Sequence, residues 1–504
     1  MSMICVQAGQ CGNQVGLSLL NALYDHISPL SVEGNYNAEL EAFFRPTDDN
    51  PDSRLGFFGD YYTTPGNSHL NLYNYINAPK LKARAVCIDT EPKVVNSIYN
   101  TSRTQRGWEY ESMNVLYRHG GAGNNWALGY QMCTGTLLEE ALDSVRRELE
   151  QCDRVPFILE LHSTAGGTGS GLGTRFTEAL ATEFPDTIRI NVCVVPYRFG
   201  EVAVQHYNSV LCLSKTSSAS DSVIIVQNDA ALQQVKLMHR IETPSLFDIN
   251  QVIAGNLVPF LLPKRRYGRQ ASASSLPDDV MSLCSHPAYR YLEARSIPQT
   301  SRDAIEFTYD KWDSLGGTLR RMLQAGMQCE RQERVKSVHS SHATTVHDSV
   351  TSTNTVSGSS NTISEPDAAG YMPEVVPVNR AVGSIFALRG PDSHTAEGTA
   401  ATLIRDPALR AMHCALLPTP LQVFHSPHLV NGYQRSMGAL TNGTGCLPVL
   451  QHSSQRAAAM FAASAYVHQY ENYGLEKAEL VDCFRHIGQN IADYQALGTM
   501  PVLN

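Results

Sequence analysis

Apolar residues in the first half of the chain alternate between two patterns. Short dense runs are Met3-Ile4-Cys5-Val6, Val86-Cys87-Ile88, Phe157-Ile158-Leu159-Glu160-Leu161, Ile190–Val195 and Val223–Val226, the lengths and compositions of buried strands. Between them apolar positions recur every three or four residues: Val15, Leu19, Leu20, Leu23; then Leu138, Ala141, Leu142, Val145, Leu149. Leu172, Phe176, Ala179, Leu180 and Phe184 repeat that spacing, which lines up one face of a helix. Strand–helix units of this kind predict an α/β fold with an N-terminal, Rossmann-like, doubly wound parallel sheet. Ligands of such a sheet bind at the carboxyl ends of its strands.

Further along, Leu246–Ile253 opens a helix with one apolar stripe, which Pro259 should kink or end. Ala381–Leu388 and Ala411–Phe424 hold strand-like pieces of a second α+β domain. Ala457–Tyr470 and Lys477–Tyr494 read as two closing helices. Two stretches break the rhythm. Residues 31–83, rich in Tyr, Asn, Gly and Pro, far exceed the ~4–6 residues of an ordinary connection and suggest a surface excursion. Residues 333–365 lose apolar content, and Ser340–Ser364 is of low complexity. Such a tract cannot offset its ordering entropy, so it is predicted to be disordered and carries no assigned chemistry.

Composition narrows the class. A length of 504 residues allows two or three domains, and 42% hydrophobic with 17% charged residues marks a soluble globular chain. No apolar run approaches the ~20 residues of a membrane span and the N-terminus lacks a secretory apolar segment, so a cytosolic protein is expected. A net charge of −9 argues against a dedicated nucleic-acid binder. Twelve cysteines without a C-x-x-C pair, several inside apolar runs, point to reduced buried thiols. Lys264-Arg265-Arg266-Tyr267-Gly268-Arg269 is the one dense basic cluster; it reads as a solvated loop or as a surface for an acidic partner.

The chemistry concentrates in Thr164-Ala165-Gly166-Gly167-Thr168-Gly169-Ser170-Gly171, between a predicted strand and a predicted helix. Glycines there let backbone N–H groups close on an anion, and the helix N-terminus adds partial positive charge. The spacing fits neither a Walker loop, since no Gly-Lys dipeptide occurs, nor G-x-G-x-x-G. A lysine-free cradle needs a metal ion to help offset phosphate charge. A flexible glycine linker is the alternative, which the strand–turn–helix context disfavours. Asp89 and Glu91 could supply carboxylates to Mg²⁺, or serve as a helix N-cap and first-turn acid. Gly121-Ala122-Gly123-Asn124-Asn125 is a second glycine-rich turn; Asn124 could offer its amide to phosphate or simply form an asparagine turn. Neither a Ser–His–Asp nor an H-E-x-x-H arrangement is visible. His162-Ser163 reads as a packed histidine beside a phosphate-contacting serine.

Gly166-Gly167-Thr168-Gly169-Ser170-Gly171 resembles the signature of the tubulin superfamily, with Ala165 in its first glycine slot. Gln7-Ala8-Gly9-Gln10-Cys11-Gly12-Asn13-Gln14 independently resembles that family's first nucleotide loop. The resemblance implies GTP or GDP with Mg²⁺ as cofactors. By it, Gln10, Cys11 and Gln14 touch phosphate and base, and Asp89 and Glu91 lie near Mg²⁺. Asn124 senses the γ-phosphate, and Ser163, Ala165, Gly166, Gly167, Thr168 and Gly169 form the phosphate loop. Glu201 and Gln205 fall at the ribose, and Asn228 and Asn250 read the base. Leu246 takes the slot where the family stacks an aromatic ring. Asp279, with Asp278 beside it, is implied as an acid acting on a neighbouring subunit, whereas the matching glutamate slot holds Ser282.

The implied organisation is a GTP-binding domain at 1–243, a central helix at 244–262, a second domain at 263–452 and C-terminal helices at 453–504 without an acidic tail. Within the family, Glu91-Pro92-Lys93-Val94-Val95-Asn96, Asp248-Ile249-Asn250-Gln251-Val252, His286-Pro287-Ala288-Tyr289 and Ala465–Tyr470 resemble the delta type. Leu81–Val86 and Ala42–Arg45 resemble the epsilon type, the second choice. The delta resemblance implies other tubulins as partners, a place in centrioles, basal bodies and cilia or flagella, and slow or assembly-dependent GTP hydrolysis. It implies no nucleic-acid or membrane partner.

Overall fold

A computed structural model describes residues 1–27, 37–46, 81–104, 107–200, 202–267, 273–300, 311–326 and 379–503. The strands in the first half are β1 Ser2–Ala8, β2 Phe44–Arg45, β3 Leu81–Ala83, β4 Ala85–Asp89 and β5 Trp108–Tyr110. They continue as β6 Val115–Tyr117, β7 Pro156–Ser163, β8 Ile188–Val195 and β9 Ser222–Gln227. Then follow β10 Lys264–Arg266, β11 Ala273–Ser274, β12 Tyr291–Ile297, β13 Ala381–Arg389, β14 Leu421–Ser426 and β15 Ser436–Gly443.

Six strands form the parallel array β9-β8-β7-β1-β4-β6. From β1 the chain moves to β4 on one side, and from β7 it moves to β8 on the other. A crevice therefore opens at the carboxyl ends of β1 and β7, where such a sheet binds ligands. Period-two alternation fills both faces. Met3 and Cys5 join the layer that holds the helix Gly9–Ile27, and Val6 and Ala8 join the layer that holds Leu172, Phe176 and Leu180. The helix begins at Gly9 itself, so Gly9–Gly12, in the segment that resembles the first nucleotide loop, is its first turn. Gly9 makes the bend with φ +71°, and a Cβ on Gly12 would lie 2.0 Å from the Leu161 carbonyl oxygen.

The second set of strands extends the same sheet. β12 pairs in parallel with β9 through Tyr291–Val223 and Leu292–Ile224, then antiparallel with β15. The order β11-β10-β14-β13-β15-β12 completes twelve strands, in a mixed rather than parallel arrangement. The central helix, Leu246–Leu261, starts on a Ser245–Asp248 capping box and runs two residues past Pro259. Pro259 has no N–H for the Gly255 carbonyl, and Asn431 Nδ2 donates to that oxygen instead at 3.2 Å. Arg389 donates to the carbonyls of Leu262 (2.6 Å) and Pro263 (2.7 Å) just beyond the helix end.

Several expectations need correction. The stretch 31–83 is not all surface: Phe43, Phe44, Leu81 and Ala83 are buried, and β2, β3 and β5 form a small sheet. Ala411–Met412 ends a helix that Asp406 caps and Pro407 opens, leaving only the later part of Ala411–Phe424 in a strand. The first closing helix spans Leu447–Ala462, and a turn with Ser464 and Tyr466 at positive φ separates it from a short helix at Val467–Glu471. The last helix is Lys477–Ala496. Lys264, expected in a solvated loop, is a buried strand residue. The tract 333–365 lies outside the described residues, as do 47–80. Among the described residues, no helix is long and apolar enough to cross a membrane.

Candidate functional site

Three turns meet at the crevice. The first follows β1 at Gly9, the second follows β7 at Ala165–Gly169, and the third is Gly121–Asn125, just before the helix Trp126–Met132. They approach too closely for side chains. A Cβ on Gly9 would sit 2.6 Å from the amide nitrogen of Gly169, and one on Gly167 would sit 2.5 Å from the Ala122 carbonyl oxygen. Glycine is required because backbone meets backbone, which brings amide groups of separate loops to one small volume. Thr90 and Thr168 hydroxyls bond across the loops at 2.5 Å. Gly121 has φ +62° and lies against Glu91, whose Oε1 would be 2.7 Å from an added Cβ.

The resulting cleft has a volume of about 290 Å³. It is lined by Ser163, Gly166, Gly167, Thr168 and Gly169, with Gln10, Cys11 and Gln14 from the first helix. Asp89, Glu91, Asn124, Asn228, Leu246 and Asn250 line it as well. A neighbouring cavity of about 460 Å³ shares Gln10, Gln14, Glu91, Leu246 and Asn250, and adds Phe247. Leu246 is thus in place at the mouth, in the slot expected for a ring, and Phe247 stands beside it, both exposed.

Asp89 and Glu91 differ in setting. Asp89 is buried, and burial pushes its carboxyl up to about 6, although the Thr90 N–H donates to Oδ1 at 2.8 Å. Glu91 is exposed. Among the described residues, no three His, Cys, Asp or Glu side chains are grouped to hold a metal alone. Two carboxylates fit Mg²⁺ nonetheless, since that ion usually completes its shell with water and phosphate oxygens. A resident Mg²⁺ would offset phosphate charge here, with Asp89 and Glu91 as its protein-side anions.

Other expected residues stand elsewhere. Ala165 is not on the cleft wall: its N–H donates to Ser163 Oγ at 3.1 Å and its carbonyl accepts from Asn208 at 2.6 Å. Gln205 is buried, with Nε2 donating to the Tyr197 carbonyl at 3.2 Å, and it does not line the cleft. Glu201 lies outside the described residues. Asp279 is corrected outright. It is 1% exposed and takes the Lys264 ammonium at 2.5 Å, so it presents no acid to a neighbouring molecule. Its carboxyl is raised by burial against the pull of Lys264. Asp278 is the exposed member of the pair and caps its own helix through Ser275.

The residue that the motifs missed is Asn208. It is fully buried, and its side chain bonds to backbone in both the Gly121–Asn125 and Ala165–Gly169 turns. Its trace in the sequence is a polar residue at a position that the helical apolar pattern would fill. His162 is packed as expected, with Nε2 donating to Asn191 Oδ1 at 3.0 Å, and lies beside Cys193 and Cys212.

A doubly wound sheet with three glycine-rich turns at its switch point, lysine-free among the described lining residues, defines a nucleotide-binding α/β protein. Residues 2–236 match the Tubulin/FtsZ family, GTPase domain, so this part of the chain is similar to that family's guanine-nucleotide-binding domain. The chain is 29% identical to the Tubulin delta chain of Canis lupus familiaris over 98% of this chain and 99% of that protein. Similarity to the Tubulin delta chain of Homo sapiens is also 29%, over 98% of this chain and 99% of that protein. The Tubulin epsilon chain of Mus musculus is 30% identical over 58% of this chain and 63% of that protein.

Proposed function

We propose that the chain is a delta-type tubulin that holds GTP or GDP with Mg²⁺ and acts in centriole and basal-body microtubules and in cilium or flagellum assembly. The observation that carries this reading is end-to-end similarity to proteins named Tubulin delta chain, joined to a cleft lined by the glycine turns and by Asn124, Asn228 and Asn250. The phosphates lie over Gly166–Gly169 and Asn124, the metal beside Asp89 and Glu91, and the base between Asn228 and Asn250. Guanine offers one acceptor and two donors on its edge, and each asparagine amide supplies both polarities. Other tubulins are the partners, and the protein works at the centriole, basal body or ciliary base.

Hydrolysis is slow or needs a partner. Phosphoryl transfer requires an oriented water and stabilised charge. A second reading follows from the burial of Asp279 and from Ser282: a structural subunit that keeps its nucleotide without turning it over. Two measurements decide. Nucleotide extracted from freshly purified full-length protein should be guanine nucleotide; an empty site, with no uptake in dialysis against GTP and Mg²⁺, would overturn the assignment. Phosphate release with and without a second tubulin separates the two readings, and rapid partner-independent turnover would contradict both. A tagged chain in ciliated cells should concentrate at basal bodies rather than along bulk microtubules.

A further inference from the structure

Asn208, in the helix Gln205–Ala219, uses every hydrogen-bonding position of its amide. Nδ2 donates to the carbonyls of Asn124 (2.8 Å) and Ala165 (2.6 Å). Oδ1 accepts from the Trp126 N–H (3.0 Å) and from the Tyr470 hydroxyl (2.6 Å). One buried side chain thereby joins two turns of the nucleotide cleft to the short helix Val467–Glu471. Other bonds run beside it. Asn125 Nδ2 donates to the Gln469 carbonyl at 3.1 Å, and the Tyr207 hydroxyl to the Ala465 carbonyl at 3.1 Å. The rings of Tyr207 and Tyr470 meet edge to face at 5.5 Å.

The segment they hold is strained. Ser464 and Tyr466 adopt φ of 53° and 61°, a region that residues with side chains rarely occupy, so contacts must maintain the turn. Its outer side is open, with Tyr466 and Tyr473 exposed. The Asn124 and Ala165 carbonyls belong to the two turns that line the cleft, so any adjustment of those turns to an occupant passes through Asn208. Asn208 cannot follow both and keep Tyr470 unless the C-terminal turn moves with it.

We propose that Asn208 and Tyr470 are positioning residues that latch residues 463–471 to the nucleotide turns, so that guanine-nucleotide occupancy and the order of that segment are coupled. The inference rests on the guanine-nucleotide reading above. Coupling of this kind is reciprocal, so a protein that docks on the exposed face of the turn changes nucleotide affinity by the same factor.

The test uses the full chain and hydrogen exchange read by mass spectrometry, with and without GDP or GTP in Mg²⁺. Amides of 463–471 should exchange several-fold more slowly with nucleotide bound. Tyr470→Phe keeps the ring and removes the hydroxyl; it should abolish that response and weaken nucleotide affinity about three- to tenfold, the worth of one hydrogen bond. Its unfolding midpoint should stay near wild type, which a general structural defect would not allow. Tyr207→Phe removes the parallel bond to Ala465 and decides the matter should Tyr470→Phe fail to fold; it should blunt the same response. Wild-type protein that binds nucleotide with unchanged exchange at 463–471 overturns the latch alone, as does Tyr470→Phe with wild-type response and affinity. Folded wild-type protein that takes up no guanine nucleotide overturns the parent reading and the latch together.

Discussion

Glu160 sits inside β7 beneath the phosphate turn, where a strand buried on both faces would ordinarily be apolar. Its Oε2 accepts from Thr177 at 2.7 Å, while Oε1 is buried without a hydrogen-bond partner among the described residues. Burial pushes the carboxyl up to about 7, with His162 pulling the other way. The unfolded chain releases this proton near the ordinary value of about 4.3. A raised folded value means stability that is fully present below about pH 4 and lost as pH rises toward 7. Glu160→Gln should therefore remove part of that slope, of order 1–3 kcal/mol across the window, seen in denaturant midpoints from pH 5 to pH 8 without nucleotide. A wild-type slope of opposite sign would contradict the assignment. Lys264 and Asp279 make the second case at this scale. Each is buried, and Ser274 also donates to Asp279 at 3.2 Å. Asp279→Asn leaves a buried ammonium without its counter-ion and should cost about 3–5 kcal/mol, whereas Lys264→Met with Asp279→Leu should be far milder. Material folded at low temperature should release phosphate from GTP at the wild-type rate, because neither Lys264 nor Asp279 lines the cleft.

Among elements, the helices divide by what their glycines meet. Gly12 faces the Leu161 carbonyl, and Gly488, in the exposed face of Lys477–Ala496, meets nothing within 4 Å. Gly488→Ala should stabilise by about 0.5–1 kcal/mol, through lower unfolded-chain entropy. Gly12→Ala should destabilise by roughly 1–3 kcal/mol or more, since the helix must leave the sheet. Thermal midpoints of the two variants should move in opposite directions. The strands of the nucleotide half were legible because period and length agreed with burial, as in Phe157–Leu161 and Val223–Val226. So were the glycine turns, whose function dictates their sequence. Elements decided by long-range contacts were less so. The helix runs past Pro259 with Asn431 donating to the Gly255 carbonyl, and beyond the break at 463–466 Tyr470 bonds to Asn208, a residue 262 positions away. Asp279 misled for the same reason: sequence shows an acid but not the lysine that meets it across β10. Gln205, implied at a ribose, opens a helix and bonds to the Tyr197 carbonyl, a rotamer choice that no pattern encodes.

At the scale of the molecule, the nucleotide half is not finished by its own residues. β9 is the last strand of the nucleotide half and pairs with β12, so Val223 and Ile224 lose their β12 partners if the chain stops after residue 243. On the same face, Val195, Tyr207, Leu211 and Ile225 pack with Tyr291, Leu450, Ile487 and Tyr494 from the second half. The first helix leans on the central helix through Leu19, Leu23, Ile253 and Leu257. A fragment of residues 1–243 would present an open strand edge and two apolar faces, the combination that drives association. It would also lose Tyr470 and with it one of the four bonds of Asn208. The fragment should therefore sediment as aggregate, and any soluble portion should hold GTP far less tightly than the full chain. Soluble monomeric fragment with full-chain affinity would mean that the cleft is organised by the first half alone, and that the continuous sheet serves some other end.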